Sequence, residues 1–240
     1  MMRQLHVLTL AVPLISATAN GVAAPSIEQP PTIAQSDALT LQLWLRRAEQ
    51  GAADAQYTVG YMYATGKGAP QDYIEASKWF RLAAAQGHAT ALWAVGLAHD
   101  NGWGVPVDQA EALRWYRLAA EKGEAQAQTN VGYFYSEGLV VEQNYEEAVK
   151  WYRLAARQGL ANAMIALGHI YEDGLGVTQD YPRAFMWLYV AEQGLRADGN
   201  PDLELEKETS ELALKMTDEQ LDEAECIGRV CAEMNFATCD

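Results

Sequence analysis

Apolar residues in this chain recur at helical spacing and stop at glycine, again and again. In the stretch from Asp54 to Tyr63, residues Ala55, Val59, Gly60 and Tyr63 step by three, four or five, which predicts one helical face. Gly66-Lys67-Gly68-Ala69-Pro70 ends that helix, because glycine permits positive φ and proline cannot continue a helix. Asp72 then sits where an N-cap belongs, with Asp108, Asn144 and Asp180 in the same place later. Each such side chain accepts from first-turn amides and is worth about 1 kcal/mol. Tyr73, Ala76, Trp79, Phe80 and Ala83 share a face of a second helix, which Gly87, and later Gly123 and Gly159, terminate as C′ residues. We call the two helices of a unit A and B.

The whole phrase returns every 36 residues: Gly60, Gly96, Gly132 and Gly168 keep the step, and so do Trp79, Trp115, Trp151 and Trp187. A fixed period of this size predicts a solenoid, in which each short helix pair buries its apolar face only by stacking on the next. A glycine inside a helix costs about 0.5–1 kcal/mol against alanine. Its return in all four A helices therefore predicts a close helix crossing. Ala76, Ala112, Ala148 and Ala184 are the small residues expected to face it, with Tyr63 and Trp79 filling the space beside it.

The alanine, glycine and tyrosine of helix A, the Gly-x-Gly loop, the Asp-Tyr cap and the Ala-x-x-Trp of helix B resemble the Sel-one-like repeat (SLR), a relative of the tetratricopeptide repeat. The resemblance covers 54–196 and implies an all-α, right-handed α-solenoid of four helix pairs, 54–88, 89–124, 125–160 and 161–196. Departures from the pattern are few. His99 stands for the tyrosine of helix A, Gln109 for the tyrosine after the cap and Val140 for the second loop glycine, and one residue is missing between Trp187 and Gly194.

The ends read differently. Residues 1–24 resemble a secretory signal: basic Arg3, an apolar run from Val7 to Ile15 too short to span a membrane, then small residues offering cleavage near 19–24. Residues 25–36 hold Pro25, Pro30 and Pro31 and read as a linker. Ser36-Asp37 is expected to cap an N-terminal capping helix, 37–53, that looks like a helix B without its helix A. After a turn at 196–200, residues 197–240 are expected to form acidic C-terminal capping helices, with Leu203 to Met216 as one. Thr217 and Gln220 form a capping box for the other, whose inner face is expected at Leu221, Ala224, Ile227 and Val230.

The formal charge is −15, and residues 197–240 carry 13 acids against Lys207, Lys215 and Arg229. Such a chain repels nucleic acid and anionic lipid. With the signal removed, no segment is expected to insert in a membrane, and the expected location is periplasmic or secreted. All three cysteines lie at the end. Cys226 and Cys231 point apart on one predicted helix, whereas Cys231 and Cys239 flank a turn at Met234-Asn235 across which the tail can fold back. Some exported SLR proteins resemble this ending in having paired cysteines, which implies a Cys231–Cys239 bridge in an oxidising compartment. Cys226 is left over, expected as a buried inert thiol, with pairing to another chain as the exposed alternative.

Chemistry is sparse. There is no Ser-x-x-Lys, no Gly-x-Ser-x-Gly, no paired histidine motif for zinc and no Cys-x-x-Cys. No catalytic residue, metal site or cofactor is assigned. The Gly-x-Gly loops recur each period and are turns rather than phosphate cradles. His99 is expected as a packed, hydrogen-bonded core histidine. The Lys and Arg row of helix B (Lys78, Arg81, Arg114, Arg117, Lys150, Arg153) is expected as a solvated convex face.

In related repeats helix A lines the concave groove. That register holds Tyr57, Tyr61, Trp93, Leu97, Asp100, Tyr133, Glu137, His169 and Glu172 as candidate partner contacts: aromatic anchors inside an acidic rim. The alternative is that several of them pack between neighbouring A helices. The resulting expectation is a non-enzymatic protein–protein interaction scaffold of the bacterial envelope that holds a protein or extended peptide, of unassigned oligomeric state. Two alternatives remain. One is a β-lactam-hydrolysing or penicillin-binding SLR protein, although those carry a cysteine pair in most units. The other is a self-associating spacer.

Overall fold

The computed structural model describes residues 33–233 and 236. The expected signal at 1–24, most of the 25–36 linker and Cys239 lie outside them. The described residues form eleven α-helices and no strand. Helix α1 spans Ile33–Glu49. Four A/B pairs follow: α2 (Ala53–Thr65) with α3 (Tyr73–Ala85), α4 (Ala89–Asn101) with α5 (Gln109–Glu121), α6 (Ala125–Glu137) with α7 (Tyr145–Ala156), and α8 (Ala161–Asp173) with α9 (Tyr181–Ala197). Helices α10 (Leu203–Ala213) and α11 (Asp218–Glu233) close the array against α9. This is the α-solenoid that the periodicity predicts.

The caps form as their chemistry requires. The Asp72 carboxylate accepts from the Ile74 and Glu75 amides at 2.9 Å. Asp108, Asn144 and Asp180 accept from Glu111, Glu147 and Arg183 at 2.9–3.0 Å. Each A helix ends on a left-handed glycine, Gly66, Gly102, Gly138 or Gly174, at φ of 68–74°.

The helical glycines do mark a close crossing, but the facing group is not the expected alanine side chain. A Cβ on Gly60, Gly96, Gly132 or Gly168 would lie 2.4–2.8 Å from the side chain of Phe80, Tyr116, Tyr152 or Leu188, the residue after each repeat tryptophan. At Gly60, Gly96 and Gly168 the alanine one turn earlier contributes its carbonyl oxygen, 3.1–3.4 Å away. The missing Cβ is thus the seat of a ring in three units and of a leucine in the fourth.

Adjacent units are also tied by polar rungs. Arg81 donates to His99 Nε2 at 3.0 Å, Arg117 to the Tyr135 hydroxyl at 2.8 Å and Arg153 to the Tyr171 hydroxyl at 2.5 Å. Lys78, Arg114 and Lys150 pair with Glu75, Glu111 and Glu147. The basic row is therefore not a plain solvated face, since half of it bonds the next unit. His99 is the buried, bonded histidine expected, and its acceptor nitrogen does the work of a tyrosine hydroxyl.

Features at both ends differ from expectation. Helix α1 starts at Ile33, ahead of the cap expected at Ser36-Asp37, and the Ser36 carbonyl accepts from Thr40 within the helix. Beyond that it packs as a helix B. Gln56 donates to the Ala48 carbonyl at 3.1 Å just as Gln128 donates to Ala120 at 3.2 Å. Helix α9 runs on to Ala197 because the deletion moves Gly194 out of the C′ position. In α11 the inner face is Ala224, Gly228 and Cys231, whereas Ile227 and Val230 are each 45% exposed. The small residues win because the helix lies close on α9: a Cβ on Gly228 would come 3.1 Å from Tyr189. Cys226 is exposed and free, not the buried thiol expected.

Candidate functional site

Four of the expected contact residues converge. Tyr57 and Tyr61 from α2 and Trp93 and Leu97 from α4 line one cavity of about 270 Å³ between the first two repeats. They are held there by packing: Tyr57 stacks on the His88 ring at 4.9 Å and leans on Phe80 at 5.7 Å. The Trp93 indole N–H donates to Asn130 at 2.9 Å, which pins α4 to α6. Tyr61 is half exposed at the opening. Burial, and after it the charge of Glu124, raises the Tyr57 pKa above the ordinary phenol value, so the ring stays neutral.

Reading along helix A alone misses the other walls. Tyr73, Ser77 and Phe80 come from α3, and Trp103 from the loop after α4. Tyr73 and Trp103 stack at 5.5 Å, joining the start of one B helix to the loop of the next unit. The signal was in the sequence. Position 77 falls in the register of Leu41, Leu113, Val149 and Phe185, all apolar and all buried.

The remaining candidates are placed elsewhere. Asp100 is turned inward and accepts from the Tyr116 hydroxyl at 3.2 Å, so it is not a free rim charge. Burial and that carboxylate drive the Tyr116 pKa far upward. Tyr133 is half exposed on α6, edge-on to Phe134, and Glu137 is exposed one turn later. His169 pairs with Glu208 of α10 at 2.5 Å, and Glu172 accepts from Lys215 at 2.7 Å. The chain's own C-terminal helices therefore occupy the fourth repeat's share of the surface. The open stretch runs from α2 to α6.

Four successive segments, 53–88, 89–124, 125–160 and 161–192, match the Sel1 repeat model. The chain belongs to the Sel1 repeat family. Sel1 repeat proteins generally mediate protein–protein interaction, and they are typically scaffolds without enzymatic activity. The chain is similar to a protective antigen of uropathogenic Escherichia coli that displays an SLR fold, at 44% identity and a TM-score of 0.61. That match covers 64% of this chain and 33% of the antigen. It is also similar to a Sel1 repeat protein from Oxalobacter formigenes, at 33% identity, a TM-score of 0.57 and coverage of 65% and 70%. No curated protein matches the chain.

Proposed function

We propose that this Sel1 repeat protein is a non-enzymatic scaffold of the bacterial envelope that holds a protein or extended peptide on the A-helix face of its first three repeats. The observation that carries this reading is the contrast between the faces. Half-exposed Tyr61 lines the aromatic cavity and half-exposed Tyr133 stands on the A helix of the third repeat, while Lys and Arg of the B helices are engaged with their own chain. Exposed aromatics around an apolar depression are the anatomy of a protein-binding patch. Among the described residues no three metal-ligating side chains converge and no helix is long and apolar enough to cross a membrane.

The direct test is photocrosslinking of the full chain with a photoreactive residue at Tyr133. The expected result is one dominant adduct, competed away by unlabelled protein and lost in Glu137→Lys. Absence of any competed adduct from a protein whose circular dichroism is helical would overturn the reading.

We place the mature protein in the periplasm or outside the cell, with a Cys231–Cys239 bridge. This is supported by the signal-like residues 1–24 and by Cys226 being free while buried Cys231 is not. Alkylation of the exported protein before reduction is expected to label one thiol, and after reduction three. Three labelled thiols without reduction would remove the bridge.

A further inference from the structure

The cavity between the first two repeats has a composition that names its occupant. None of its lining side chains is a carboxylate, ammonium or guanidinium, in a chain of formal charge −15. A charged group entering it would lose its hydration and gain no counter-ion. Aromatic rings dominate the lining: Tyr57 leans on Phe80, Tyr73 stacks on Trp103, and Tyr61 and Trp93 complete it. The volume, about 270 Å³, falls below the roughly 300–1,000 Å³ of sites that engulf a whole small molecule, and suits one large side chain.

Ser77 supplies the polar element. It is 4% exposed, and its Oγ has no hydrogen-bond partner. The same register holds Leu41, Leu113, Val149 and Phe185 in the other B-type helices. A serine here removes the side chain that fills the equivalent space elsewhere and leaves a buried hydroxyl waiting for a partner. Such a group is destabilising until something bonds to it.

We propose that this cavity accepts a single uncharged aromatic side chain with a polar edge, tryptophan or tyrosine, presented by the bound peptide. The inference rests on the reading of the A-helix face as a binding surface and specifies what anchors there. The rings provide offset and edge-on stacking, and Ser77 distinguishes an indole N–H or phenol from a plain phenyl.

The test uses the full chain labelled with 5-fluorotryptophan, with Trp93 and Trp103 assigned by Trp→Phe variants. N-acetyl tryptophanamide and tyrosinamide are expected to shift the Trp93 and Trp103 fluorine signals saturably in the millimolar range, while Trp151 does not move. The lysinamide analogue is expected to do nothing. Ser77→Ala is expected to weaken the tryptophan and tyrosine amides about five-fold, leave the phenylalanine amide unchanged and raise the Tm of the free protein. No saturable shift, an equal response to the lysine amide, or a Ser77→Ala effect that is absent or equal for phenylalanine would overturn the proposal. Ala64→Phe, which fills the opening, separates this inference from the one beneath it. If it leaves the Tyr133 crosslink intact, the anchor is wrong and the scaffold stands; if the parent protein gives no crosslink, the scaffold reading fails on its own.

Discussion

Gly60 and Gly96 hold the same position in successive repeats, yet they do not tolerate the same change. A methyl group on Gly96 would sit 2.6 Å from the Tyr116 ring, which is fully buried and tied through its hydroxyl to Asp100. A methyl group on Gly60 would sit 2.7 Å from Phe80, but Phe80 borders the open cavity and has no hydroxyl to tether it. Alanine is the better helix former by about 0.5–1 kcal/mol, so the substitution sets propensity against overpacking. Gly96→Ala is expected to lose about 1–3 kcal/mol of stability, because its ring cannot move aside. Gly60→Ala is expected to lose clearly less, because its ring can. Urea denaturation of the two variants checks this, and equal losses would mean that the room beside Phe80 is not usable. Such glycines were legible in the sequence as a close crossing because a costly residue recurred at fixed spacing. Which side chain filled the gap was not legible, because the alanine and the residue after the tryptophan lie one turn apart on the same face of helix B, and spacing alone does not choose between them.

At the scale of the element, the loop after the A helix of the first, second and fourth units lands on an earlier B-type helix. A Cβ on Gly104 would come 2.2 Å from the Tyr73 carbonyl oxygen, on Gly176 2.6 Å from the Tyr145 Cβ, and on Gly68 2.4 Å from the Asp37 carbonyl oxygen. In every case the partner lies 31 positions earlier. The third unit breaks the rule at both ends of that spacing: Val140 replaces the glycine and Gln109 the tyrosine. Two departures that look independent in the sequence thus share the 31-residue spacing of this junction. Val140 keeps the glycine's conformation at φ 52° and is about half exposed, so a β-branched residue is held in the left-handed region. That conformation is disfavoured by about 1–2 kcal/mol for an L-residue, and little burial offsets it. Val140→Gly is therefore expected to stabilise by roughly 1 kcal/mol after the extra backbone entropy of glycine is subtracted. A lower urea midpoint in the variant would show that Val140 contributes more by packing than it costs in strain.

Across the whole molecule, what could be read in advance was what is local: the caps, the loop glycines and the 36-residue register. The closure of the array was not, because Lys215 meets Glu172 across 43 residues and His169 meets Glu208 from a helix outside the repeats. Nothing in the spacing of α8 announces a partner on α10. The cavity was half legible: its helix A wall followed from the register, while Ser77 lay on a helix read for its aromatic and alanine face and for its basic row, neither of which includes position 77. Stability of the array as a unit runs through the buried tyrosines of the second and third repeats. Burial raises the Tyr152 pKa to about 12, helped by the nearby charge of Glu137 and opposed by the Ser136 hydrogen bond. Tyr116 is raised further by burial and Asp100. Below pH 10 both states hold these protons and stability does not depend on them. Above pH 10 the unfolded phenols ionise while the folded ones stay neutral. Each such group then removes about 1.4 kcal/mol of stability per pH unit until its folded pKa is passed. Other groups titrate in the same range, so the comparison that isolates Tyr152 is with Tyr152→Phe. The variant is expected to be less stable near neutral pH by about 0.5–1.5 kcal/mol, having lost the bond to Ser136. Between pH 10 and 12 its stability is expected to fall less steeply, so that the two curves converge. Parallel curves from urea denaturation at stepped pH would mean that Tyr152 reaches water in the folded repeat and that its ring does not seal the third unit.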